Sequence, residues 1–160
     1  MAEKVGAKMR AGGWKGLFGI DVIKDEERNE LRLLEINARQ TASVTYESFL
    51  QEKNRANGLK GKTIFEKHLE ILTDSETTSG LIQINDGSQI IQRVTRDSAQ
   101  LGNDKMEQLK KDGFNVIAYE NKNMHMDLIR IQSEKGLLSG HDKLNERGKK
   151  ILEILWNQKA

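Results

Sequence analysis

Four polar side chains near the start of the chain have types and spacing that suit metal and phosphate chemistry. Glu35, Asn37 and Arg39 occupy every second position of an apolar run, so in a β-strand they project from one face. Asp21 lies in an earlier run of the same kind. Carboxylate and amide oxygens are the ligands that Mg²⁺ and Mn²⁺ prefer, whereas a guanidinium binds phosphate oxygens through paired hydrogen bonds. These four residues therefore define the candidate site.

A β-hairpin is the element that must bring these side chains together. The alternating runs 16–23 and 31–39 flank the polar segment 24–30, which is typical of a chain reversal. A turn centred on Arg28 sets Asp21 opposite Glu35 and Gly19 opposite Asn37. Two carboxylates that face each other across strands repel by roughly several tenths of a kcal/mol or more. We therefore expect a divalent cation between them.

Strict alternation also sorts the other side chains of the second run. Leu33 shares the face of Glu35, whereas Arg32, Leu34 and Ile36 share the opposite face. A solvent-facing hairpin side that carries acids, an amide and an arginine is ordinary for a half-buried antiparallel sheet. The alternation by itself leaves both interpretations open, a metal site and a plain solvated face.

The residue patterns of the two runs resemble those of the distal core of the ATP-grasp ligases. GLFGID, at residues 16–21, is similar to the strand of that family with the form G-hydrophobic-hydrophobic-G-hydrophobic-D/E. LEINAR, at residues 34–39, is similar to the family's strand that ends E-hydrophobic-N-x-R, and QTAS at 40–43 continues the likeness. The likeness covers roughly the first third of the chain, and its two-part form makes it more specific than either half.

The resemblance implies an ATP-dependent ligase reaction. Enzymes of this family phosphorylate a carboxylate with ATP, and an amine or related nucleophile then captures the acyl-phosphate. Asp21, Glu35 and Asn37 match the positions that hold Mg²⁺ (or Mn²⁺) against the ATP phosphates, and Arg39 matches the position that steadies the transferred phosphate. Residues 40–43 would line the acceptor side. Asp21 departs from the longer Glu that many relatives carry at this position.

The resemblance also implies that this chain is incomplete as a ligase. The glycine-rich lid and the ATP-binding lysines of the family have no counterpart here, and no G-x-x-x-x-G-K-[ST] motif occurs. We expect a C-terminal portion that needs an upstream half, from the same gene or from a separate chain. Two alternatives stay open: a non-catalytic ATP-grasp remnant, and an α+β subunit or interaction domain in which the motif is coincidental.

Composition narrows the classes of function. The chain has 160 residues, a net charge of +2 and no Cys. The near balance of charge provides no strong field for nucleic acid or an anionic membrane. The absence of Cys from the sequence excludes disulfides, zinc-thiolate sites and thiol nucleophiles. Neither a signal peptide nor a transmembrane run occurs in the sequence, so we expect a cytoplasmic protein.

Helical periodicity predicts three helices in the first part of the chain. They cover residues 2–11, 41–51 and 63–73, with a polar linker at 52–61. Thr41 or Ser43 is the predicted cap of the second helix, and Thr63 with Glu66 forms a capping box at the third. The predicted core residues of these two helices are Val44, Phe49, Leu50, Ile64, Phe65, His68, Leu69 and Leu72. We interpret His68 as a partly buried structural histidine rather than a ligand.

The segment 74–79 is the predicted boundary between a domain at 1–79 and a second at 80–160. Strands are predicted at 81–85 and 89–95, joined through Asp86 and Gly87, and at 114–119 and 127–132. Helices are predicted at 103–111 and 145–158, the last with Ile151, Leu152, Leu155 and Trp156 facing inward. The predicted class is α+β, an antiparallel sheet with flanking helices that resembles the ATP-grasp C-terminal subdomain, followed by a small α+β unit.

The remaining candidate residues give weaker evidence for a functional site. His125 and His141 lie in polar, turn-like contexts and are predicted to be exposed. The string SGHD at 139–142 places Ser, His and Asp side by side, but adjacency in sequence is not the geometry of a catalytic triad. Arg93 and Arg96 flank the end of a predicted strand, and we interpret them as a solvated edge.

Overall fold

The computed structural model describes residues 1–75, 79–95, 101–120, 123–140 and 142–156. The chain divides into two compact units, Met1–Ile84 and Asn85–Ala160. This division falls just after the predicted boundary segment, 74–79. Both units combine helices with antiparallel sheet, and the described residues contain five helices and five strands. The predicted α+β class is confirmed.

The first unit contains three helices and one two-stranded sheet. In chain order these are α1 (Ala2–Ala11), β1 (Gly19–Asp25), β2 (Glu30–Asn37), α2 (Val44–Ala56) and α3 (Ile64–Leu72). The predicted bounds of α1 are confirmed, and Gly13 follows it with a φ of 86°, a conformation that an L side chain rarely adopts.

The β1–β2 hairpin contains a β-bulge that strict alternation did not predict. Asp21 pairs with Glu35, but the next pair is Val22 with Leu33, so Leu34 is the extra residue. Paired residues share a face, so Leu33 joins Ile20 and Ile36 on one face while Arg32 joins Asp21 on the other. The predicted faces of Arg32 and Leu33 were therefore wrong.

Helix α2 is longer than its prediction and begins differently. It continues to Ala56, so about half of the predicted linker is helical. Ser43 is the N-cap residue, but its side chain accepts no capping hydrogen bond, and its hydroxyl lies 3.1 Å from that of Thr41. At α3 the predicted capping box is confirmed: Thr63 accepts from the Glu66 backbone N–H, and the Glu66 carboxylate accepts from the N–H of Thr63.

The core of the first unit is small and lies on α2. Val44 and Leu50 are buried as predicted, together with Tyr46 and Ile82, which the sequence analysis missed. The prediction was wrong for Phe49, which is 40% exposed, and for Phe65, Leu69 and Leu72 of α3, which are 43%, 46% and 49% exposed. Ile64 and His68 of α3 are half-buried. A helical apolar stripe needs a covering surface, and the first unit leaves most of this one open.

The predicted strand at 81–85 and its hairpin are absent from the described structure. Only an isolated parallel bridge joins Lys62 to Leu81. The backbone of this segment instead accepts hydrogen bonds from side chains of α2. The Gln51 side chain donates to the Ile82 carbonyl at 2.9 Å, and the Asn54 side chain donates to the Gln83 carbonyl at 2.7 Å. Side-chain bonds thus satisfy carbonyls that a strand partner would have taken.

The described residues of the second unit form two helices and a three-stranded antiparallel sheet. Its elements are β3 (Ser88–Arg93), α4 (Asn103–Lys111), β4 (Asn115–Ala118), β5 (Asp127–Ser133) and α5 (Glu146–Trp156), and the strand order is β3-β5-β4. The bounds of α4 match the prediction, and the strands differ from theirs by a residue or two at their ends. The buried cluster consists of Leu109, Phe114, Ile129, Ile131, Leu137, Ile151, Ile154 and Leu155.

The inner face of α5 is rotated from its prediction. Ile151 and Leu155 are buried as predicted, and Ile154 joins them. Leu152 and Trp156 are each 36% exposed, so their predicted inward orientation was wrong. Within the described part of the chain, no helix combines the length and apolar character needed to cross a bilayer.

Candidate functional site

The hairpin places the predicted site residues at one end of one face. Asp21 faces Glu35 and Gly19 faces Asn37, the pairing expected from a turn centred on Arg28. The Asp21, Glu35 and Arg39 residues are exposed and Asn37 is half-buried, so this end of the hairpin is open to a ligand.

A chain of hydrogen bonds links three of these side chains. The Asn37 amide donates through Nδ2 to Asp21 Oδ2 at 3.3 Å. Its oxygen, Oδ1, accepts from the Arg39 guanidinium at 3.2 Å. The same guanidinium donates to the Gln40 carbonyl at 3.4 Å. Asn37 therefore links an acid on β1 to an arginine just beyond β2.

The turn that follows β2 folds back over the start of β1. A Cβ added at Gly19 would lie 2.6 Å from Cγ2 of Thr41, a separation that side chains do not tolerate. Glycine at this position therefore lets Thr41 close over the strand pair beside Asn37. The hydroxyl-bearing residues of the turn are thus held next to the polar face.

The donor set fits Mg²⁺ after one rearrangement. Asp21 and Glu35 supply two opposed carboxylates, and Mg²⁺ is commonly bound by one or two carboxylates together with substrate phosphates. An amide coordinates through its oxygen, and Oδ1 of Asn37 points to Arg39. The amide must therefore turn toward the carboxylates before it can act as a ligand. Among the described residues, no group of three or more His, Cys, Asp or Glu side chains is placed to hold a metal ion.

The bulge adds to the polar face a residue that strict alternation places on the other face. Arg32 shares the face of Asp21 and lies 3.4 Å from the Asp25 carboxylate. The signal was present in the sequence, because the adjacent Leu33 and Leu34 break the alternation at the position of the bulge. Positive charge therefore flanks the carboxylate pair toward the hairpin turn as well as toward Arg39.

Comparisons with known proteins identify no relative for this chain. No protein-family model, no curated protein and no solved structure matches it. The resemblance of its hairpin to the ATP-grasp ligases therefore rests on residues 16–43 alone.

The histidine and arginine predictions have mixed outcomes. His68 is half-buried as predicted, and its Nδ1 accepts from the Leu17 backbone N–H at 3.3 Å, which ties α3 to the entry of β1. His125 is exposed as predicted. The Arg93 side chain is 66% exposed and its Nε lies 3.9 Å from Asp127, which agrees with a solvated edge. Arg96 and His141, and with His141 the SGHD string, lie outside the described residues.

Two clefts of the first unit include residues that directly precede or follow the hairpin. One, of about 680 Å³, lies between the end of α1, the entry to β1 and the end of α3, and includes Trp14 and Lys15 in its lining. The other, of about 390 Å³, extends from Gln40 between α2 and α3. The second includes Gln40, whose carbonyl accepts a hydrogen bond from the Arg39 guanidinium.

Proposed function

We propose that this chain is the C-terminal part of an ATP- and Mg²⁺-dependent carboxylate–amine ligase. The observation that carries the proposal is the shared end of one hairpin face, where the Asn37 amide hydrogen-bonds to both Asp21 and Arg39 and where Glu35 is the cross-strand partner of Asp21. The sequence resemblance to the ATP-grasp ligases supplies the reaction class. In this proposal Asp21, Glu35 and Asn37 bind the metal, and Arg39 binds the transferred phosphate.

The chemistry requires charge neutralisation more than covalent help from the protein. The substrate carboxylate attacks the γ-phosphorus of ATP, ADP leaves, and an acyl-phosphate forms. The amine then attacks the acyl carbon, inorganic phosphate leaves, and the amine proton passes to solvent. When bound, Mg²⁺ offsets the negative charge of the phosphates. Arg39 contributes a planar guanidinium that can hold two phosphate oxygens at once.

An apolar face on the same hairpin supports the need for an upstream half. Ile20, Val22, Leu31, Leu33 and Ile36 share the face opposite the carboxylates. Of these, Leu31 is 54% exposed and Ile36 is 43% exposed. A two-stranded hairpin alone is marginally stable in water, and its apolar face is normally covered. We propose that the nucleotide-binding half of the ligase, from the same gene or a separate chain, covers this face.

Manganese relaxation tests the metal site on the chain as it exists. Mn²⁺ broadens NMR signals of nearby nuclei, so we expect selective broadening of the Asp21, Glu35 and Asn37 amides, abolished by Glu35→Gln. The hairpin supplies its own control, since Asp25 faces Glu30 at the turn end in a second like-charge pair. The Asp25 carboxylate already lies 3.4 Å from the Arg32 guanidinium, so we do not expect the Asp25–Glu30 pair to bind Mn²⁺. Glu30→Gln should therefore leave the broadening at Asp21, Glu35 and Asn37 unchanged. Equal broadening at both pairs would contradict a specific site.

Calorimetry with Mg²⁺ and a non-hydrolysable ATP analogue tests the nucleotide part. We expect weak or no binding to this chain and tight binding once an upstream ATP-grasp half is supplied. In that reconstituted enzyme, Glu35→Gln should abolish ligase turnover. Metal binding that persists without turnover in any reconstitution would favour the non-catalytic remnant. Full turnover by the Glu35→Gln enzyme would show that the ligand assignment is wrong.

A further inference from the structure

A cleft of the first unit lies where the end of α1, the segment before β1 and the end of α3 meet. Its volume of about 680 Å³ lies within the range of small-molecule sites. Trp14, Phe18 and Ile71 form its apolar lining. Trp14 is 36% exposed and Ile71 is 40% exposed, so these side chains are accessible to a ligand. Accessible aromatic rings favour a ligand with a flat ring of its own.

The polar side chains that line this cleft differ in whether they have partners. Asp74 accepts a hydrogen bond from the Lys15 ammonium, and the Ser75 hydroxyl lies 2.8 Å from another hydroxyl group. Within the described structure, the Arg10 guanidinium makes no hydrogen bond or ion pair, and neither does the indole N–H of Trp14. Guanidinium and indole groups can only donate hydrogen bonds. A ligand that satisfies them must therefore bring acceptors.

Arg10 is not needed as a cap for α1. It lies in the last turn of the helix, where a basic side chain can donate to the final carbonyl groups. The carbonyl groups of Lys8, Met9 and Arg10 already accept from the backbone N–H groups of residues 12–14. The guanidinium is therefore available to a carboxylate, which can accept two parallel hydrogen bonds from it.

The charge of the lining selects an anion. Arg10 and Lys15 are positively charged and Asp74 is negatively charged, which leaves one net positive charge. Because the Lys15 ammonium forms an ion pair with the Asp74 carboxylate, the excess positive charge belongs to Arg10. A ligand carboxylate would thus meet a guanidinium that no acid of the described residues neutralises.

The charged residues of the two bounding helices do not reverse this excess. Outside the lining, α1 contributes two lysines and one glutamate, which are Lys4, Lys8 and Glu3. On α3, the charged residues within one turn of Ile71 are Lys67 and Glu70. Glu70 is paired with Lys62 as well as with Lys67, so its charge is more than balanced. Each helix therefore adds positive rather than negative charge to the surroundings of the cleft.

We propose that this cleft is a binding site for a small aromatic carboxylate. The carboxylate accepts hydrogen bonds from the Arg10 guanidinium, and the ring lies against Trp14 and Phe18. The site uses neither metal nor ATP, so it goes beyond the proposed ligase function, and either one can fail without the other.

Two indole signals make the test specific on the intact chain. In NMR spectra of the ¹⁵N-labelled protein, the indole N–H of Trp14 reports the cleft and that of Trp156 is the internal control. Benzoate should shift the Trp14 signal and leave the Trp156 signal in place. An unshifted Trp14 signal, or equal shifts of both signals, would overturn the proposal.

Three further probes separate the contributions of charge and ring. Benzyl alcohol and benzylammonium share the ring of benzoate but lack its negative charge, and acetate shares the charge but lacks the ring. Titrations without metal should show that benzoate binds most tightly and that benzylammonium binds more weakly than benzyl alcohol. Acetate should bind more weakly than benzoate. Benzylammonium or acetate affinity equal to that of benzoate would contradict the proposed occupant.

A matched pair of variants tests the role of Arg10. Arg10→Gln should weaken benzoate binding by about three- to ten-fold, because it removes a charged hydrogen-bond donor. Lys8→Gln removes the same charge from the same turn of α1 outside the lining, and should leave the affinity unchanged. Arg10→Lys keeps the charge but not the paired donors, so its loss should be smaller than that of Arg10→Gln. Equal losses from Arg10→Gln and Lys8→Gln, or no loss from Arg10→Gln, would overturn the proposal.

Arg39→Gln separates this cleft from the hairpin site. Arg39 is the cation that would attract benzoate to the hairpin, and it lies outside the cleft lining. Benzoate affinity should therefore be unchanged in Arg39→Gln, and a loss would assign the carboxylate to the hairpin and overturn the proposal. Benzoate binding together with no Mn²⁺ broadening at Glu35 would support the cleft and count against the metal site alone.

Discussion

The two sheets of this protein are built from similar apolar strands but are covered to very different extents. In the second unit, Ile129 and Ile131 of β5 are almost fully buried against helices, at 1% and 0% exposure. In the first unit, Ile23 and Leu34 of the hairpin are 51% and 65% exposed. Apolar alternation thus predicts a strand, whereas burial depends on which element covers it.

The hydrogen-bonded polar side chains of the two sheets also differ in their exposure to solvent. In the second unit the amides of Asn115, Gln132 and Gln89 bond in series across three strands, at 2.7 and 2.8 Å, and Gln132 is buried. On the hairpin, the Asn37 amide joins an exposed acid to an exposed arginine. A buried, satisfied amide series stabilises a sheet, whereas the acid–amide–arginine series of the hairpin is accessible to solvent.

Matched isoleucine truncations test the difference in burial most strongly. Ile131→Ala should destabilise the second unit by about 2–5 kcal/mol, because it leaves a cavity in a packed core. Ile23→Ala should change the stability of the first unit by less than about 1 kcal/mol, because its side chain is already half in water. Urea unfolding followed by Trp156 in a Trp14→Phe background reports the second unit, and Trp14 in a Trp156→Phe background reports the first.

Comparable losses from the two isoleucine variants would contradict the difference in burial. A large loss from Ile23→Ala, in particular, would mean that the hairpin face that carries Asp21 and Arg32 is covered in solution. Dilution of the protein would then show whether a second copy of the chain is the cover, because the loss would depend on concentration.

Two helical glycines provide the next contrast. A Cβ at Gly148 of α5 would lie 2.5 Å from the Leu137 carbonyl oxygen, and backbone cannot easily move. Gly148→Ala should therefore cost about 1–3 kcal/mol through overpacking. A Cβ at Gly6 of α1 would lie 3.3 Å from the Phe18 ring, a side chain that can shift. Gly6→Ala gains helix propensity of up to about 1 kcal/mol, which opposes that small displacement.

The measurement for the glycines is again urea unfolding with one tryptophan as the probe of each unit. Gly148→Ala should lower the midpoint of the second unit clearly, and Gly6→Ala should change the first unit by less than about 1 kcal/mol in either direction. A larger loss from Gly6→Ala than from Gly148→Ala would show that α1 is packed more tightly than α5.

The smallest contrast concerns pH. The hydrogen bond from Arg55 lowers the pKa of Glu66 in the first unit, and the hydrogen bond from Lys110 lowers the pKa of Glu107 in the second. A carboxyl group whose folded pKa is depressed contributes stability above its unfolded pKa, near about 4.3, and this contribution is lost as pH falls through the folded pKa. Both pairs are solvent-accessible, so screening keeps the effects small.

In the Glu66→Gln variant, the free energy of unfolding of the first unit should decrease less as the pH falls from about pH 5 to about pH 3, because the variant lacks the titrating carboxyl group. Glutamine retains the capping-box contact to the Thr63 N–H, so the helix cap is kept. Glu107→Gln should change the pH dependence of the second unit's unfolding free energy less, because the partner of Glu107 is an exposed lysine three residues away. A greater effect from Glu107→Gln would contradict the stronger coupling assigned to Glu66.

Much of the local structure was predictable from short stretches of sequence. Helix α1 ends before two glycines, α3 begins with a capping box, and α4 ends before Gly113, all signals within a few residues of the element they bound. The pairing of Asp21 with Glu35 was predictable for the same reason, since a short polar turn fixes the register of the strands on either side. The roles of these residues in metal and phosphate binding remain predictions.

The sequence by itself therefore determined the hairpin, its facing carboxylates and the order of the helices, because turn chemistry, capping and periodicity act over a few residues. The tertiary structure decided which apolar side chains are buried, because burial requires a second surface that no local pattern specifies. It left the α3 stripe open, tied residues 82 and 83 to α2 in place of a strand, and brought two phenylalanines and two glutamates to one cleft.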